Sequence, residues 1–223
     1  MKIFKSALIL VLSFTFLNVH AATVKTDIEK ISYTLGVVFA ENVNRQAITL
    51  DIPAFLQAIE DVLLGSELKL SKDNMKVVMQ EFTKAEQEKQ NNQASINKAN
   101  GEKYLNANKT KEGVTETASG LQYKVINLGT GKKPTNTSKV LVHYRGTLID
   151  GTEFDSSYAR GEPVELAVNQ VIKGWQETLP LMATGSKWQI VVPSELAYGQ
   201  RGASGAIGPN ATLLFDIELI EIK

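Results

Sequence analysis

The stretch from 140 to 175 is the part of the chain best suited to chemistry, since it joins aromatic and aliphatic side chains with very few polar ones. Tyr144 falls on a predicted strand. The next strand should place Phe154 and Asp155 on opposite faces, because strand side chains alternate. A short helix should begin close to Trp175. Together these residues predict a small apolar cleft with one carboxylate beside it.

Covalent and metal chemistry find little support in the composition. The chain offers no nucleophile beside a base, no phosphate-binding glycine loop and no carboxylate pair suited to acid–base work. It has no Cys and only two His, so we expect neither a thiolate nucleophile nor a His-based metal site, and no cofactor. The 24 basic and 24 acidic residues give a formal net charge of zero, so nucleic acid is not an expected partner.

Five short motifs follow one another in the C-terminal half. They are 142–146 (VHYRG), 151–157 (GTEFDSS), 171–175 (VIKGW), 197–199 (AYG) and 211–215 (ATLLF). Their order resembles that of the FKBP-type peptidyl-prolyl cis-trans isomerases. With its signal-like start and helical front half, the whole chain is similar to the macrophage infectivity potentiator branch of that family, the secreted or periplasmic dimeric isomerases of Gram-negative bacteria.

The resemblance implies a pocket for a proline ring. Its apolar parts would be Trp175 as the floor, Tyr144, Phe154 and Phe215 as the walls, Val171 and Ile172 at the entrance, and Ile207 closing the site from a glycine-rich loop. The chain departs from many members of the family at Val164, where an aromatic is common, and in the loop 199–209. The pocket wall and the loop over it are therefore expected to differ from theirs.

The polar residues of the pocket are also implied by the resemblance. Asp155 would lie nearest the reacting amide, held by Arg160 and by the hydroxyl of Tyr144. Tyr198 would offer its hydroxyl, and Ile172 its amide, to substrate carbonyls. Taken singly, the aromatics could be ordinary core residues and the Asp155–Arg160 pair an ordinary surface ion pair.

The implied reaction is isomerisation of an X-Pro bond, which breaks no bond. Its barrier of roughly 18–20 kcal/mol comes from amide resonance, and an apolar, desolvated pocket should favour the twisted amide because its carbonyl is less polar. The substrates would be proline-containing, unfolded or partly folded exported polypeptides. Chaperone activity and binding of macrolide-type inhibitors are further implications. The alternative is a non-catalytic chaperone or host-interaction module that uses the same pocket.

The N-terminus reads as a signal peptide, residues 1–21. A positive start precedes an apolar run that is shorter than a membrane span, and small residues follow at 19–21. Export would place the protein in the periplasm, at the outer membrane or outside the cell. An uncleaved membrane anchor is the alternative.

Residues 22–70 are predicted to form a helical dimerisation domain. Thr26 and Asp51 are helix-capping residues, Pro53 suits a first turn, and Gly65 should end the second helix. Two such helices cannot enclose a core alone, so a second copy of the chain is the expected partner of their apolar faces. The alternative is that they fold back on the C-terminal domain.

Residues 71–111 are predicted to form a long linker helix. An apolar stripe in its first turns could pack on the helical domain, and the polar remainder would extend as a solvated stalk. A linker that frays near 91–92 and Gly101 is the alternative.

Residues 112–223 change to short strands between turns that contain Gly and Pro. The strand candidates are 121–126, 140–149, 164–168, 188–192 and 213–222, with one helix at 171–181. The fold class is α+β: an antiparallel half-barrel sheet wrapped around one short helix, as in the FKBP family.

Overall fold

The structure, a computed structural model, describes residues 24–46, 48–203 and 205–223. The predicted signal peptide, 1–21, lies outside the described residues. The chain divides between Leu50 and Asp51 into two compact units. The first contains helix α1 (Asp27–Arg45), and the second begins with α2 (Ile52–Leu64) and α3 (Lys72–Asn108).

The helix boundaries follow the capping residues that the sequence predicts. Thr26 accepts a hydrogen bond from the amide of Glu29, whose side chain bonds back to the Thr26 amide and completes a capping box. Asp51 caps α2 by accepting from the amide of Ala54. Gly65 ends α2 at φ 67°, a left-handed conformation in which glycine carries no Cβ penalty.

Strands dominate the rest of the second unit, and the described residues form one antiparallel sheet of seven strands. The strands are β1 (Val114–Glu116), β2 (Gln122–Asn127), β3 (Lys139–Leu148), β4 (Glu153–Ser156), β5 (Val164–Ala167), β6 (Lys187–Val192) and β7 (Leu213–Ile222). Two short helices interrupt them, α4 (Ser157–Arg160) and α5 (Lys173–Thr178). This confirms the α+β class predicted from the sequence.

The strand order is β1-β2-β6-β7-β3-β4, and β5 also pairs with β3. One edge of β3 therefore binds two partners: β5 along Lys139 to Val142 and β4 along Arg145 to Thr147. The chain leaves the sheet between these partners to form α4. Because pairing along this edge is divided between two strands, the end of β4 lies beside the middle of β3.

The core lies on one face of the sheet, as the alternation of β7 predicts. Leu213, Phe215, Ile217 and Leu219 are buried, and the residues between them are partly exposed. Helix α5 packs tightly on this face. A Cβ added at Gly174 would lie 2.5 Å from a methyl of Val192, so glycine allows the helix to approach the sheet.

Helix α3 is continuous over 37 residues and runs through Gly101 without a break. The polar sequence predicts that its last third is solvated; in the structure one side of this third contacts the sheet and the other side is exposed. The side-chain amide of Asn108 donates to that of Gln122 at 3.0 Å, and Gln122 donates to the carbonyl of Leu105 at 2.9 Å. No helix among the described residues is long and apolar enough to cross a membrane.

Candidate active site

A cleft of about 480 Å³ opens where β3, β4, β7 and α5 meet. It is lined by Tyr144, Phe154, Asp155, Leu166, Gln170, Val171, Ile172, Trp175, Tyr198, Ala203, Ile207 and Phe215. Nine of the ten site residues expected from the sequence are in this lining. The tenth, Arg160, binds two of the lining residues from outside.

Aromatic rings in edge-to-face contact form the floor and walls of the cleft. The ring of Trp175 lies 5.3 Å from those of both Tyr144 and Phe215, at interplanar angles of 87° and 83°. Phe154 meets Phe215 in the same way at 5.6 Å and 85°. Trp175 is only 3 % exposed, so neighbouring side chains hold the indole in one orientation.

Gly146 on β3 lets these walls come together. A Cβ at this position would lie 2.5 Å from the ring of Phe154 and 3.0 Å from the ring of Phe215. The glycine of the 142–146 motif therefore has a packing role: it leaves space for the edge of Phe154.

Asp155 is the one charged residue among the described residues that line the cleft. Its carboxylate accepts hydrogen bonds from the Tyr144 hydroxyl and from the Arg160 guanidinium. Arg160 also donates to the Tyr144 hydroxyl at 2.9 Å and lies over the Tyr144 ring at 5.5 Å. These contacts close a triangle that holds the carboxylate in place.

The same contacts set the charge state of the triangle. Partial burial alone would raise the pKa of Asp155, but the hydrogen bonds from Tyr144 and Arg160 outweigh it, so the pKa lies below its ordinary value. Burial, followed by the hydrogen bond to Asp155, raises the pKa of the Tyr144 phenol. At neutral pH the site therefore holds an ionised carboxylate beside a neutral phenol.

The entrance of the cleft is formed where the chain enters α5. The backbone amides of Trp175 and Gln176 donate to the carbonyl of Ile172, and the Gln176 side chain donates to the carbonyl of Val171 at 2.7 Å. No described residue accepts a hydrogen bond from the Ile172 amide. That amide is a backbone donor with capacity for an external carbonyl.

Tyr198, Ala203 and Ile207 come to the cleft from the long connection between β6 and β7. Ile207 is 8 % exposed, whereas Tyr198 is 44 % exposed. No described residue forms a hydrogen bond with the Tyr198 hydroxyl. Ile207 thus belongs to the packed wall, and Tyr198 is a polar group at the rim.

Sequence reasoning missed three lining residues: Leu166, Gln170 and Ala203. Leu166 lies on β5, the strand that also carries Val164, and its alternation there could have revealed it. Gln170 and Ala203 lie in connections without periodic patterning, so nothing local indicates their direction. Among the described residues, no group of three or more His, Cys, Asp or Glu side chains could hold a metal ion.

Two family models match the chain. One, described as FKBP-type peptidyl-prolyl cis-trans isomerase, covers residues 130–220, and another, described as the domain amino-terminal to it, covers 28–125. The chain therefore belongs to the FKBP-type peptidyl-prolyl cis-trans isomerases. Its activity is the cis-trans isomerisation of peptidyl-prolyl bonds in proline-containing polypeptides.

Individual relatives agree with the resemblance to macrophage infectivity potentiators. The chain is 42 % identical to the outer membrane protein MIP of Legionella longbeachae, over 100 % of this chain and 98 % of that protein. It is 43 % identical to the peptidyl-prolyl cis-trans isomerase Mip of Coxiella burnetii, over 92 % and 91 % of the two chains. The crystal structure of FkpA from Escherichia coli is similar with a TM-score of 0.64 and 35 % identity, covering 90 % of this chain and 99 % of that one.

Proposed function

We propose that the cleft holds the prolyl ring of the substrate on Trp175 and accelerates isomerisation by stabilising the twisted amide. The observation that supports this most is the aromatic cleft with one held carboxylate at its wall. Apolar walls favour an amide that has lost its conjugation, because such an amide has a less polar carbonyl than the planar form. Preference for the transition state over the ground state is what lowers the barrier.

Each polar group has one role in this proposal. Asp155 places its negative charge near the carbonyl carbon, which becomes electron-poor when the nitrogen lone pair rotates out of conjugation. Tyr144 and Arg160 keep that carboxylate ionised and oriented. The Ile172 amide and the Tyr198 hydroxyl would bind carbonyls of the substrate backbone, which fixes the peptide across the cleft.

The wild-type protein is expected to accelerate X-Pro exchange with a kcat/KM that is constant between about pH 5.5 and 8.5. The pKa of Asp155 is lowered and that of Tyr144 is raised, so neither group titrates in this range. Because the pKa of Asp155 is lower in the folded state, its contribution to stability is present above its unfolded pKa and is lost as the pH falls below that value. Exchange measured by NMR line shape or a coupled assay tests this. A bell-shaped profile near neutrality would contradict it.

Tyr198→Phe is expected to lower kcat/KM by about three- to tenfold, the value of one hydrogen bond to a neutral carbonyl. Tyr158→Phe is a matched control, because Tyr158 is 43 % exposed and donates to Glu218 outside the cleft. Both variants lose only a hydroxyl. Equal activity of the two variants in a peptide isomerisation assay would remove Tyr198 from the site.

We further propose that residues 22–70 dimerise the protein. Helix α1 contains no buried residue, and Ile28, Ile31, Leu35 and Val38 are between 56 % and 78 % exposed. In α2, Leu56 and Leu63 are 57 % and 79 % exposed. Apolar surfaces of this kind need a partner in water, and a second copy supplies one of the same character.

Leu35→Asp is expected to weaken dimerisation by more than about 100-fold, because burying an unpaired carboxylate at an interface costs several kcal/mol. Ala40→Asp adds the same charge on the opposite side of α1 and should leave the dimer intact. Molar mass from light scattering, measured over a dilution series, distinguishes them. A monomeric wild type would contradict the proposal and favour helices folded back on the C-terminal domain.

The remaining proposal concerns domain boundaries and destination. Residues 1–21 would be removed on export to the periplasm. Residues 71–111 would connect the domains, and 112–223 would form the isomerase domain. Macrolide-type inhibitors would bind in the same cleft as the substrate. Support comes from the apolar start of the chain and from a relative named an outer membrane protein. N-terminal sequencing of protein from the cell envelope should begin near residue 22, and an intact Met1 there would oppose it.

A further inference from the structure

One face of α3 contacts the loop that carries Ile207, which we call the Ile207 loop (205–211). The side-chain amide of Asn97 donates to the carbonyl of Pro209 at 2.7 Å. In the opposite direction, the side chain of Asn210 donates to the carbonyl of Ala94 at 3.4 Å. Helix and loop therefore exchange hydrogen bonds across more than a hundred residues of sequence.

Contacts on two sides fix the orientation of the Asn97 side chain. Gln93, one helical turn earlier, donates to the Asn97 side-chain oxygen at 2.8 Å, which leaves the nitrogen to face the loop. On the loop side, a Cβ at Gly208 would lie 3.1 Å from that nitrogen, so glycine permits the close approach. Asn97 is partly buried although it lies on a helix of strongly polar sequence.

The contact lies close to the cleft along the loop. Pro209 and Asn210 follow Ile207, whose carbonyl accepts from the Ala203 amide at 2.8 Å. The Asn210 amide donates to the carbonyl of Gly199 at 2.8 Å. These bonds connect the helix contact to Ile207 in the wall and to the segment next to Tyr198.

A second contact sets the distance between α3 and the loop. Gly101 is buried, and a Cβ at this position would lie 2.3 Å from the hydroxyl oxygen of Thr212, which is 5 % exposed. The added Cβ would also lie 3.3 Å from the Thr212 Cβ, which rotation of that side chain does not move, so a side chain larger than a methyl group requires α3 to move away from the end of the loop. Gly101 is the middle member of a stripe, 94-97-101-105-108, whose members are all at least partly buried.

We propose that Asn97 is a positioning residue of the isomerase. Its hydrogen bond to Pro209, together with the close contact between Gly101 and Thr212, holds Ile207 against the substrate. This inference rests on the proposed function, because it takes the Ile207 wall to contact the bound peptide. It assigns to the C-terminal third of α3 a role beyond that of a spacer. Substrate affinity would depend on the position of this helix against the Ile207 loop.

Asn97→Asp tests the proposal, because it keeps the shape of the side chain and replaces the donor by a charged acceptor that faces a carbonyl. KM for an X-Pro peptide should rise about three- to tenfold while kcat changes less than about twofold. Asn92→Asp adds the same charge on an exposed position of the same helix and should match the wild type. An unchanged KM in Asn97→Asp overturns the proposal.

Trypsin cleavage after Arg201 provides a readout that does not depend on catalysis, because Arg201 is exposed and lies next to the paired segment. In the full-length protein, mass spectrometry should detect cleavage there about three- to tenfold faster in Asn97→Asp and unchanged in Asn92→Asp. A rise in KM without faster cleavage overturns the proposal, since the effect then does not pass through the loop. If Asn97→Asp is cleaved faster but the wild-type protein itself has no isomerase activity, the proposed function is rejected, whereas the contact between α3 and the loop is not.

Gly101→Leu provides a second variant that does not touch Asn97. Its side chain would overlap the Thr212 side chain even if the Thr212 hydroxyl rotates, displace α3 and produce the same two effects. If both readouts in Gly101→Leu equal those of the wild type, the position of α3 has no influence on the site and the proposal fails.

Discussion

Asp155→Ala is expected to lower kcat/KM by about 10- to 100-fold while the protein stays folded. The variant removes the one charge among the described residues of the cleft lining, and a hydrogen-bonded charge that acts in the transition state contributes about 1.5–3 kcal/mol. Stability should change little, because the side chains of Arg160 and Asp155 are 44 % and 41 % exposed and such pairs are weak. Stopped-flow exchange assays and thermal unfolding of the same preparation measure both effects.

Two companion variants show whether charge or shape is responsible. Asp155→Asn keeps the shape and should retain only part of the activity if the negative charge matters. Asp216→Ala removes a carboxylate from β7 that does not line the cleft and should be fully active. Wild-type activity in Asp155→Ala would contradict the proposed role. If Asp155→Ala still holds unfolded client proteins, client binding is separate from catalysis, as the chaperone alternative requires.

Trp175→Ala is expected to lower kcat/KM by about 50-fold, because the three methylenes of a prolyl ring lose their contact surface at about 0.8 kcal/mol each. It should also destabilise the fold by about 3–5 kcal/mol, the usual cost of truncating a buried Trp. Chemical denaturation and peptide isomerisation assays on one preparation separate the two effects.

The chain contains its own control in Trp188. This residue is 5 % exposed, stacks on Tyr123 at 4.6 Å and does not line the cleft. The indole nitrogens of both tryptophans are buried without a hydrogen-bond partner among the described residues, so truncation breaks no such bond at either position. Trp188→Ala should therefore match the stability loss and keep the kcat/KM. Trp175→Leu and Trp188→Leu repeat the comparison with smaller cavities. If the variants at 175 and at 188 are equally active, Trp175 is only a core residue.

The sequence predicted elements wherever the determinants are local. Capping by Thr26 and Asp51 and the stop at Gly65 each depend on residues within one turn of the helix end, and all three are observed. In β7, buried and partly exposed side chains alternate because one face of the strand is buried, and the spacing of its apolar residues indicates which face that is. Motif order then predicted most of the cleft lining, although periodicity alone could not distinguish Trp175 from an ordinary core residue.

The docking of α3 was not predicted, and the reason is specific. Leu105 is the one large apolar member of the contact stripe; the others, Ala94, Asn97, Gly101 and Asn108, are small or polar residues at helical spacing. Hydrophobic patterning does not detect such a stripe, because its packing depends on close approach and on amide hydrogen bonds rather than on apolar area. From the sequence, Gly101 is therefore a place where the helix could fray, whereas in the structure it is buried against Thr212.

By itself the sequence determined the capped helix starts, every strand except β1, the buried face of β7, and the family, because each of these depends on spacing along the chain. The family resemblance implies that Asp155 meets Tyr144 and Arg160, as the structure has it. Only the tertiary structure decided that Asn97 meets Pro209 and that Asn108 meets Gln122. A hydrogen bond requires its two heavy atoms within about 3.5 Å, and folding brings those atoms together from segments whose separation along the chain carries no information about their separation in space.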